Sequence, residues 1–454
     1  MWKLRAAAAS ILAATALGLL LWRGLAQAAA QGPLPWELYG GPDGYYIARG
    51  WTEGYASRPL AVAPRARVEA AMTHTLHLPA TYAGPAPRET RALWVTRWDF
   101  QTLSDVQTIV DKAAYAHLNT ILFQVRGQAD ALYRSSLEPW SARLSGTLGQ
   151  DPGWDPLAEL TARAHAAGLQ VQAWINVYPA WLGTTATLPP TSTVPLPMLH
   201  DFTRCYGDRW LQWSPAGPMQ LPPPGAQPAY LCASPGHPAV VERVVAVCQD
   251  LLTHYPLDGL HFDYVRYAGR EYSQDPVSLE AYAAAAAANP ALTYADWQRA
   301  QITHLLQRVC TEALPLRPAA RLTATAWPVY QDHWGWVNHN DGYHAHYQDS
   351  QGWARQGVVA GIMPMLYSAS IHDVRERFEV LARDFVAGSQ PGGVVIGIGG
   401  DYASFAEIAG RIEVARAVGA RGQALFSYRL LDERDYWRSL RDGPYQRIAI
   451  PNWP

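Results

Sequence analysis

The sequence predicts an α/β fold, a (β/α)8 TIM barrel with long loops after strands three and five and an N-terminal extension. Between about residues 91 and 445, short apolar runs alternate with helical stretches. There are eight such units, which is the number that closes this type of barrel. The 454 residues, of which 49% are hydrophobic and 16% charged, provide for one large core with long loops.

The eight predicted strands are continuous apolar runs, as expected for parallel strands buried on both faces. They cover residues 92–96, 120–126, 170–176, 259–264, 322–326, 361–366, 394–398 and 424–428. The helical stretches cover residues 104–117, 156–167, 238–254, 294–313, 351–356, 373–386, 404–418 and 433–441. An open doubly wound sheet is the alternative, but no phosphate-binding glycine pattern follows the first strand at Thr96.

The C-terminal ends of the strands form the functional face of such a barrel. Insertions at residues 179–235 and 327–351 follow strands three and five, so both are expected at this rim. Trp and Tyr offer flat faces to sugar rings, while Asn, Arg and carboxylate groups hydrogen-bond the hydroxyls. The residues predicted to bind a sugar are Arg97, Asp99, Gln124, Arg126, Asp130, Trp174, Asn176, His261, Tyr264, Trp327, Tyr367 and Tyr428.

The segment DGLHFDYVRY at the fourth strand carries the leading catalytic candidate, Asp263. Because side chains alternate along a strand, His261 and Asp263 share one face, which we expect to point into the barrel. A buried carboxylate needs a partner, and Arg97, Arg126 or Arg266 is expected to supply it. A purely structural Asp–Arg pair inside the barrel is the alternative.

Four segments carry a family resemblance: RALWVTRWDF, NTILFQVRGQADALYRSSLEPWSARLSGTLGQDPGWDPL, HAAGLQVQAWINVYP and DGLHFDYVRY. Together they resemble the glycosyl hydrolase-like 10 family, whose bacterial members include an enzyme that cuts peptide-free peptidoglycan strands. The resemblance implies a barrel glycosidase of an amino-sugar polymer, with Asp263 as the strand-four aspartate. Tyr264 stands where many members carry a second Asp. The positions matching the family's cleft are Gln124, Arg126, Asp130, Trp174 and Asn176.

A mechanism with two carboxylates needs a partner for Asp263. The candidates are Glu138, Asp130, Asp99, Asp401 and Asp432. Glu138 ranks first, followed by Asp401 and Asp99, and Glu138 has a loop-anchoring role as its alternative. A retaining pair stands about 5–5.5 Å apart and an inverting pair about 6.5–9.5 Å. The chitinase pattern D-G-x-D-x-D-x-E is met by Asp258 and Asp263, but Val265 replaces its essential Glu. That form of substrate-assisted chemistry is therefore not expected.

Residues 1–30 are predicted to be a signal peptide or an N-terminal anchor. Lys3 and Arg5 precede the apolar stretch 11–21, and Ala26-Gln27-Ala28 fits a cleavage site. Residues 31–90 are expected to be an extension packing on the barrel at residues 91–445. We therefore expect an exported protein, extracellular or in the cell envelope, with membrane attachment only through this segment. The net charge of -2 gives no footprint for nucleic acid.

No metal or cofactor is expected. The sequence has no C-x-x-C pair, and His339, His344 and His346 are interpreted as solvated loop residues rather than zinc ligands. Cys205 and Cys232 bracket a proline-rich insert and are candidates for a disulfide, whereas small buried hydrophobic residues are the alternative for Cys248 and Cys310.

The predicted function is glycoside hydrolysis of an amino-sugar polysaccharide, with peptidoglycan strands or a related extracellular glycan as the partner. A non-catalytic glycan-binding barrel is the main alternative, because fold alone does not fix function. A metal-dependent deacetylase or amidase is the third class, and chelation would abolish its activity.

Overall fold

The computed structural model describes residues 37–40, 46–49, 85–367, 371 and 374–453. Two short strands, Glu37–Gly40 and Tyr46–Arg49, form a two-stranded sheet of their own. The predicted signal peptide at residues 1–30 and most of the predicted extension at residues 31–90 lie outside the described residues. Within the described part, no helix has the length and apolarity needed to cross a membrane.

Eight parallel strands form the predicted barrel. They are β1 Thr90–Val95, β2 Thr120–Arg126, β3 Gln170–Asn176, β4 Gly259–Asp263, β5 Arg321–Ala326, β6 Gly361–Pro364, β7 Val395–Gly399 and β8 Gly422–Phe426. Hydrogen bonds join them in the order β6-β5-β4-β3-β2-β1-β8-β7. Isolated parallel bridges, Ile362 to Val394 and Met365 to Gly397, bring β6 to β7. The strand order and these bridges confirm the barrel fold.

Helices cover the outside of the barrel. They are α1 Leu103–Tyr115, α2 Pro156–Ala166, α3 Pro238–His254, α4 Tyr294–Glu312, α5 Ser350–Arg355, α6 Arg375–Gly388, α7 Phe405–Ala417 and α8 Trp437–Asp442. Thr102 and Asp105 form a capping box at the start of α1. The predicted last strand, 424–428, is displaced by two residues from the observed Gly422–Phe426, and Tyr428 begins a short helix, Tyr428–Glu433, ahead of α8.

The insertions follow β3, β4 and β5. Pro179–Gly183 pairs antiparallel with Ala229–Cys232, and these two strands frame the insertion after β3. The sequence did not predict the insertion after β4, which contains the helix Pro276–Ala288. This helix is mostly alanine and has no apolar stripe, so its periodicity gave no signal.

The N-terminal end of the barrel is closed by the last residues of the chain. The backbone of Ile450 pairs with Pro87 and Glu89, and the Glu89 carboxylate bonds Arg91, Arg416 and Gln423. Burial alone would raise the pKa of Glu89, but these partners lower it to about 2. These contacts fix the start of β1 against the segment around Ile450 at the N-terminal end of the barrel.

All four cysteines are free thiols. The predicted staple between Cys205 and Cys232 is therefore absent: Cys205 lies exposed on the helix Met198–Tyr206, and Cys232 is buried at the end of its strand. Cys248 is buried as expected, whereas Cys310 is partly exposed and donates to the Val358 carbonyl.

Candidate active site

Asp263 ends β4 at the C-terminal rim, with its side chain facing the barrel interior as predicted. Its Oδ1 accepts hydrogen bonds from the Thr325 hydroxyl at 2.8 Å, the Tyr264 backbone N–H at 2.7 Å and the Arg266 guanidinium at 3.3 Å. Its Oδ2 accepts none from the described part of the chain, and 9% of the side chain is exposed. One oxygen is therefore fixed while the other is available to a ligand.

Arg266 is the partner that the structure selects from the three candidate arginines. Its guanidinium lies 4.4 Å from the ring centre of Tyr264 and 5.0 Å from that of Trp327. Stacking between two rings fixes the guanidinium plane and so the direction of the bond to Asp263. Tyr264 and Trp327, both predicted to bind sugar, thus form the aromatic wall beside this carboxylate.

His261 lies below the rim, in the barrel interior. Its Nε2 accepts the Trp94 indole N–H at 2.9 Å, and its Nδ1 lies 2.9 Å from the Thr323 hydroxyl. Burial lowers the pKa of His261 to about 3, so the ring is neutral. The side chain has no exposed surface. The structure therefore places His261 in the support of the site rather than on its surface.

Gln124, Trp174 and Asn176 form a polar layer under the cleft. The Asn176 Oδ1 accepts from the Gln124 amide at 3.2 Å and from the Trp174 indole at 3.1 Å. The Gln124 Oε1 accepts the Arg97 backbone N–H at 2.9 Å. All three side chains are only 1–2% exposed, and their polar groups bond one another or the backbone of Arg97 and Gly127. They hold Arg97 and the end of β3, next to Asp263, in place.

Glu138 is locked in an ion pair with Arg126. Both carboxylate oxygens accept from the guanidinium at 2.7–2.9 Å, and the two side chains are 0% and 1% exposed. Arg126 also donates to the carbonyls of Asn176 and Val177. The structure therefore does not bring Glu138, the first-ranked second carboxylate, to the cleft, and its loop-anchoring alternative fits the geometry.

Tyr230, which the sequence analysis did not single out, reaches the site from the β3 insertion. Its hydroxyl accepts from Arg97 Nη2 at 3.0 Å, and its ring lies 5.2 Å from that of Tyr264. Burial raises the pKa of Tyr230, Arg97 opposes this, and the charges of Asp263 and Asp130 add to the rise. Tyr230 thus lies among Arg97 and two carboxylates. A contact spanning 133 residues leaves no local sequence pattern.

Four more predicted residues occupy different surroundings. Tyr367 stacks on Phe426 at 4.7 Å, and both burial and the charge of Asp263 raise its pKa. Asp401 follows β7 and is 4% exposed. Asp99 accepts the Thr96 N–H, and burial raises its pKa to about 7. Tyr428 packs on Trp437 and Lys112 of α8 and α1, so it lies away from Asp263.

The histidines of the β5 insertion bond to protein groups. His344 pairs with the Asp341 carboxylate at 3.0 Å. His346 is buried, with Nδ1 3.0 Å from the Tyr267 carbonyl, so its interpretation as a solvated residue is wrong. The His346 ring can be buried because both of its nitrogens have hydrogen-bond partners, the Tyr267 carbonyl and the Asn340 side chain. No cluster of three His, Cys, Asp or Glu suited to a metal occurs in the part of the chain that the structure describes.

A profile of the glycosyl hydrolase-like 10 family matches residues 89–408, well over half of the chain. Glycosyl hydrolase DigH of Escherichia coli (strain K12) is 25% identical over 331 residues, 64% of this chain and 68% of that protein. Glycosyl hydrolase YngK of Bacillus subtilis (strain 168) is 25% identical over 329 residues, 66% of this chain and 59% of that protein.

Solved structures agree on the fold. The PgaB (BpsB) glycoside hydrolase domain from Bordetella bronchiseptica superposes with a TM-score of 0.54 at 15% identity, covering 78% of this chain and 98% of that one. The alpha-L-fucosidase isoenzyme 2 from Paenibacillus thiaminolyticus reaches 0.51 at 16% identity, covering 78% and 48%. At these identities the likeness supports the barrel and not a particular substrate.

Proposed function

Because this chain belongs to the glycosyl hydrolase-like 10 family, we propose that it hydrolyses glycosidic bonds in an extracellular amino-sugar polysaccharide. The observation that carries the proposal is Asp263, a rim carboxylate with one oxygen held by three donors and the other available to a ligand. A structural ion pair alone would use both oxygens, as Glu138 does with Arg126.

Asp130 is the second carboxylate that we assign to the reaction. It lies near Arg126 and Tyr230, and its charge acts on Tyr230 together with that of Asp263. Its Oδ1 accepts the Gln128 N–H at 3.1 Å. Glu138 is unsuited because its charge is neutralised by Arg126, and freeing it would leave a buried cation without a partner.

Hydrolysis breaks the bond between the anomeric carbon and the bridging oxygen, and water adds to that carbon. One carboxyl group gives a proton to the departing oxygen, while the other, as a carboxylate, attacks the anomeric carbon or activates the water. Asp263 takes the principal role in either scheme. Tyr264 and Tyr367 supply ring faces that match the apolar faces of a sugar, while Trp327, 3% exposed between Arg266 and His346, supports Arg266 from behind.

The finer substrate assignment is peptidoglycan strands without peptides, or a related amino-sugar polymer. It rests on the resemblance of residues 91–267 to the family and on the aromatic character of the rim. Export to the cell envelope is proposed with it, because Lys3 and Arg5 precede an apolar stretch and a small-residue cleavage pattern.

The test is to incubate the purified full chain with peptide-free peptidoglycan strands, chitin oligomers and a neutral glucan, and to analyse the products by mass spectrometry. Shortened amino-sugar fragments, absent with Asp263→Asn, are the expected result. Asp258→Asn is the matched control, since Asp258 precedes the same strand at the barrel's other end and bonds His165 there. Glycan binding without any cleavage would refute the proposal and favour the non-catalytic barrel.

A further inference from the structure

Arg97 and Tyr230 leave two hydrogen-bond donors without acceptors at the same place. Arg97 is 3% exposed, and its Nη1 is buried without a partner among the described residues. Its Nη2 donates to the Tyr230 hydroxyl, which is on a residue 8% exposed. A guanidinium can only donate, so the phenol oxygen is the acceptor and its own proton remains for another group.

The proton of Tyr230 finds no acceptor in the described part of the chain. Buried donors in folded proteins are nearly always satisfied, so two adjacent ones without acceptors indicate a missing partner. The missing partner must provide an oxygen atom that accepts hydrogen bonds and carries no hydrogen of its own to donate. A carbonyl or carboxylate oxygen fits that description better than a hydroxyl.

The surrounding charges choose between these two oxygens. Asp263 and Asp130 both act electrostatically on Tyr230, so an additional carboxylate would meet two like charges. A neutral carbonyl avoids this repulsion and still gains hydrogen bonds from a cation and a phenol. In an amino-sugar polymer, the neutral carbonyl is that of the N-acyl group.

We propose that Arg97 and Tyr230 form a two-donor site that binds the N-acyl carbonyl of a sugar beside Asp263, making Tyr230 a specificity-determining residue. This inference rests on the proposed function for its substrate class. Neither the family match nor the sequence pattern assigns a role to Tyr230. The site discriminates an N-acylated sugar from its free-amine counterpart.

Gly127 provides a second way to disturb the site without altering either donor. A Cβ atom at this position would lie 1.5 Å from Arg97 Nη1 and 2.5 Å from Arg97 Cζ. Arg97 would have to move, and its bond to the Tyr230 hydroxyl would be lost. Gly127→Ala should therefore reproduce the effect of Tyr230→Phe, which removes the phenol oxygen alone.

The experiment compares N-acetylglucosamine hexamers with glucosamine hexamers, using the full chain. Affinity is measured by calorimetry in an Asp263→Asn background, which prevents turnover, and cleavage is measured with Asp263 intact. We expect a preference of about tenfold or more for the acylated hexamer, since a site built for a hydrogen bond rejects the analogue lacking it. Tyr230→Phe and Gly127→Ala should reduce this preference to within about twofold.

Tyr178→Phe is the matched control. Tyr178 is also buried with a hydroxyl lacking a partner among the described residues, but its raised pKa has burial as its cause, with no contribution from Asp263. It should keep the full preference, and thermal unfolding should show that every variant is folded.

Two results overturn the inference: equal affinity of the parent for both hexamers, or an unchanged preference in folded Tyr230→Phe. A protein that prefers the acylated hexamer but cleaves nothing would contradict the proposed hydrolysis while leaving the acyl site supported. Binding and cleavage together therefore tell the two failures apart.

Discussion

Replacing Glu138 by Ala separates a structural from a catalytic carboxylate. The change removes the two carboxylate oxygens that accept from Nε and Nη2 of Arg126 at 2.7–2.9 Å and leaves only backbone carbonyls, at Nη1, as its oxygen acceptors. At most 1% of either side chain is exposed, so the guanidinium of Arg126 stays buried when its carboxylate partner is lost. Breaking such a buried pair costs about 3–5 kcal/mol, out of a typical folding stability of about 5–15 kcal/mol.

The measurement is equilibrium unfolding in urea, followed by the fluorescence of the 19 tryptophans. Asp151→Ala is the control, because its pair with Arg134 is 3.3 Å long with side chains 48% and 65% exposed. Exposed pairs of this kind contribute at most about 1 kcal/mol. Replacing Arg126 and Glu138 together by Met and Leu should recover most of the loss, since the uncompensated charge is gone.

A different result would refute this account of Glu138. If Glu138→Ala unfolded at the same urea concentration as the parent but lost cleavage about a hundredfold or more, the carboxylate would be needed for the reaction. In that case the ion pair with Arg126 would have to open when substrate binds.

Three further predictions concern pH and metal. In the folded state the pKa of His261 is about 3, against 6.5 ordinarily. The neutral ring therefore contributes fully to the free energy of unfolding above pH about 6.5, and this contribution is lost as pH falls toward 3. His261→Gln should make the melting temperature less dependent on pH between these values. Burial raises the pKa of Asp99 to about 7. The folded state is therefore favoured by the protonated carboxyl below pH about 3.8, and this contribution is lost as pH rises through 7. Asp99→Asn should unfold at a higher temperature than the parent at pH 8, and equal melting temperatures at that pH would contradict this. Chelator treatment should leave cleavage rates unchanged, since His344 and His346 are bonded to Asp341 and Tyr267; loss restored by zinc would favour the metal-dependent class.

The strands of the barrel could be predicted because their signal is local. Each is a run of apolar residues set between helices, and β2 and β3 have the predicted bounds. The orientation of Asp263 was also predictable, since the alternation of side chains along β4 requires only one reference face. The sequence left open which arginine pairs with Asp263, because Arg97, Arg126 and Arg266 all lie at the ends of barrel strands.

The remaining parts of the site depend on contacts distant in sequence. Tyr230 meets Arg97 across 133 residues, through an insertion whose path no period reveals. Glu138 precedes Pro139 and Trp140 in a loop. Because loop residues follow no periodic pattern, the sequence does not predict that the Glu138 carboxylate points inward and pairs with Arg126. The alanine-rich helix Pro276–Ala288 has helix-forming residues but no apolar stripe, so it escaped prediction.

The most direct test of the central claim is the initial rate of glycan cleavage by the parent, Asp263→Asn and Asp258→Asn. Both substitutions remove one carboxylate charge from the same segment, but only Asp263 lies at the cleft. We expect Asp263→Asn to lose at least about a hundredfold in rate, with Asp258→Asn within about twofold of the parent. An Asp263→Asn rate within about tenfold of the parent would contradict the claim that Asp263 carries the reaction.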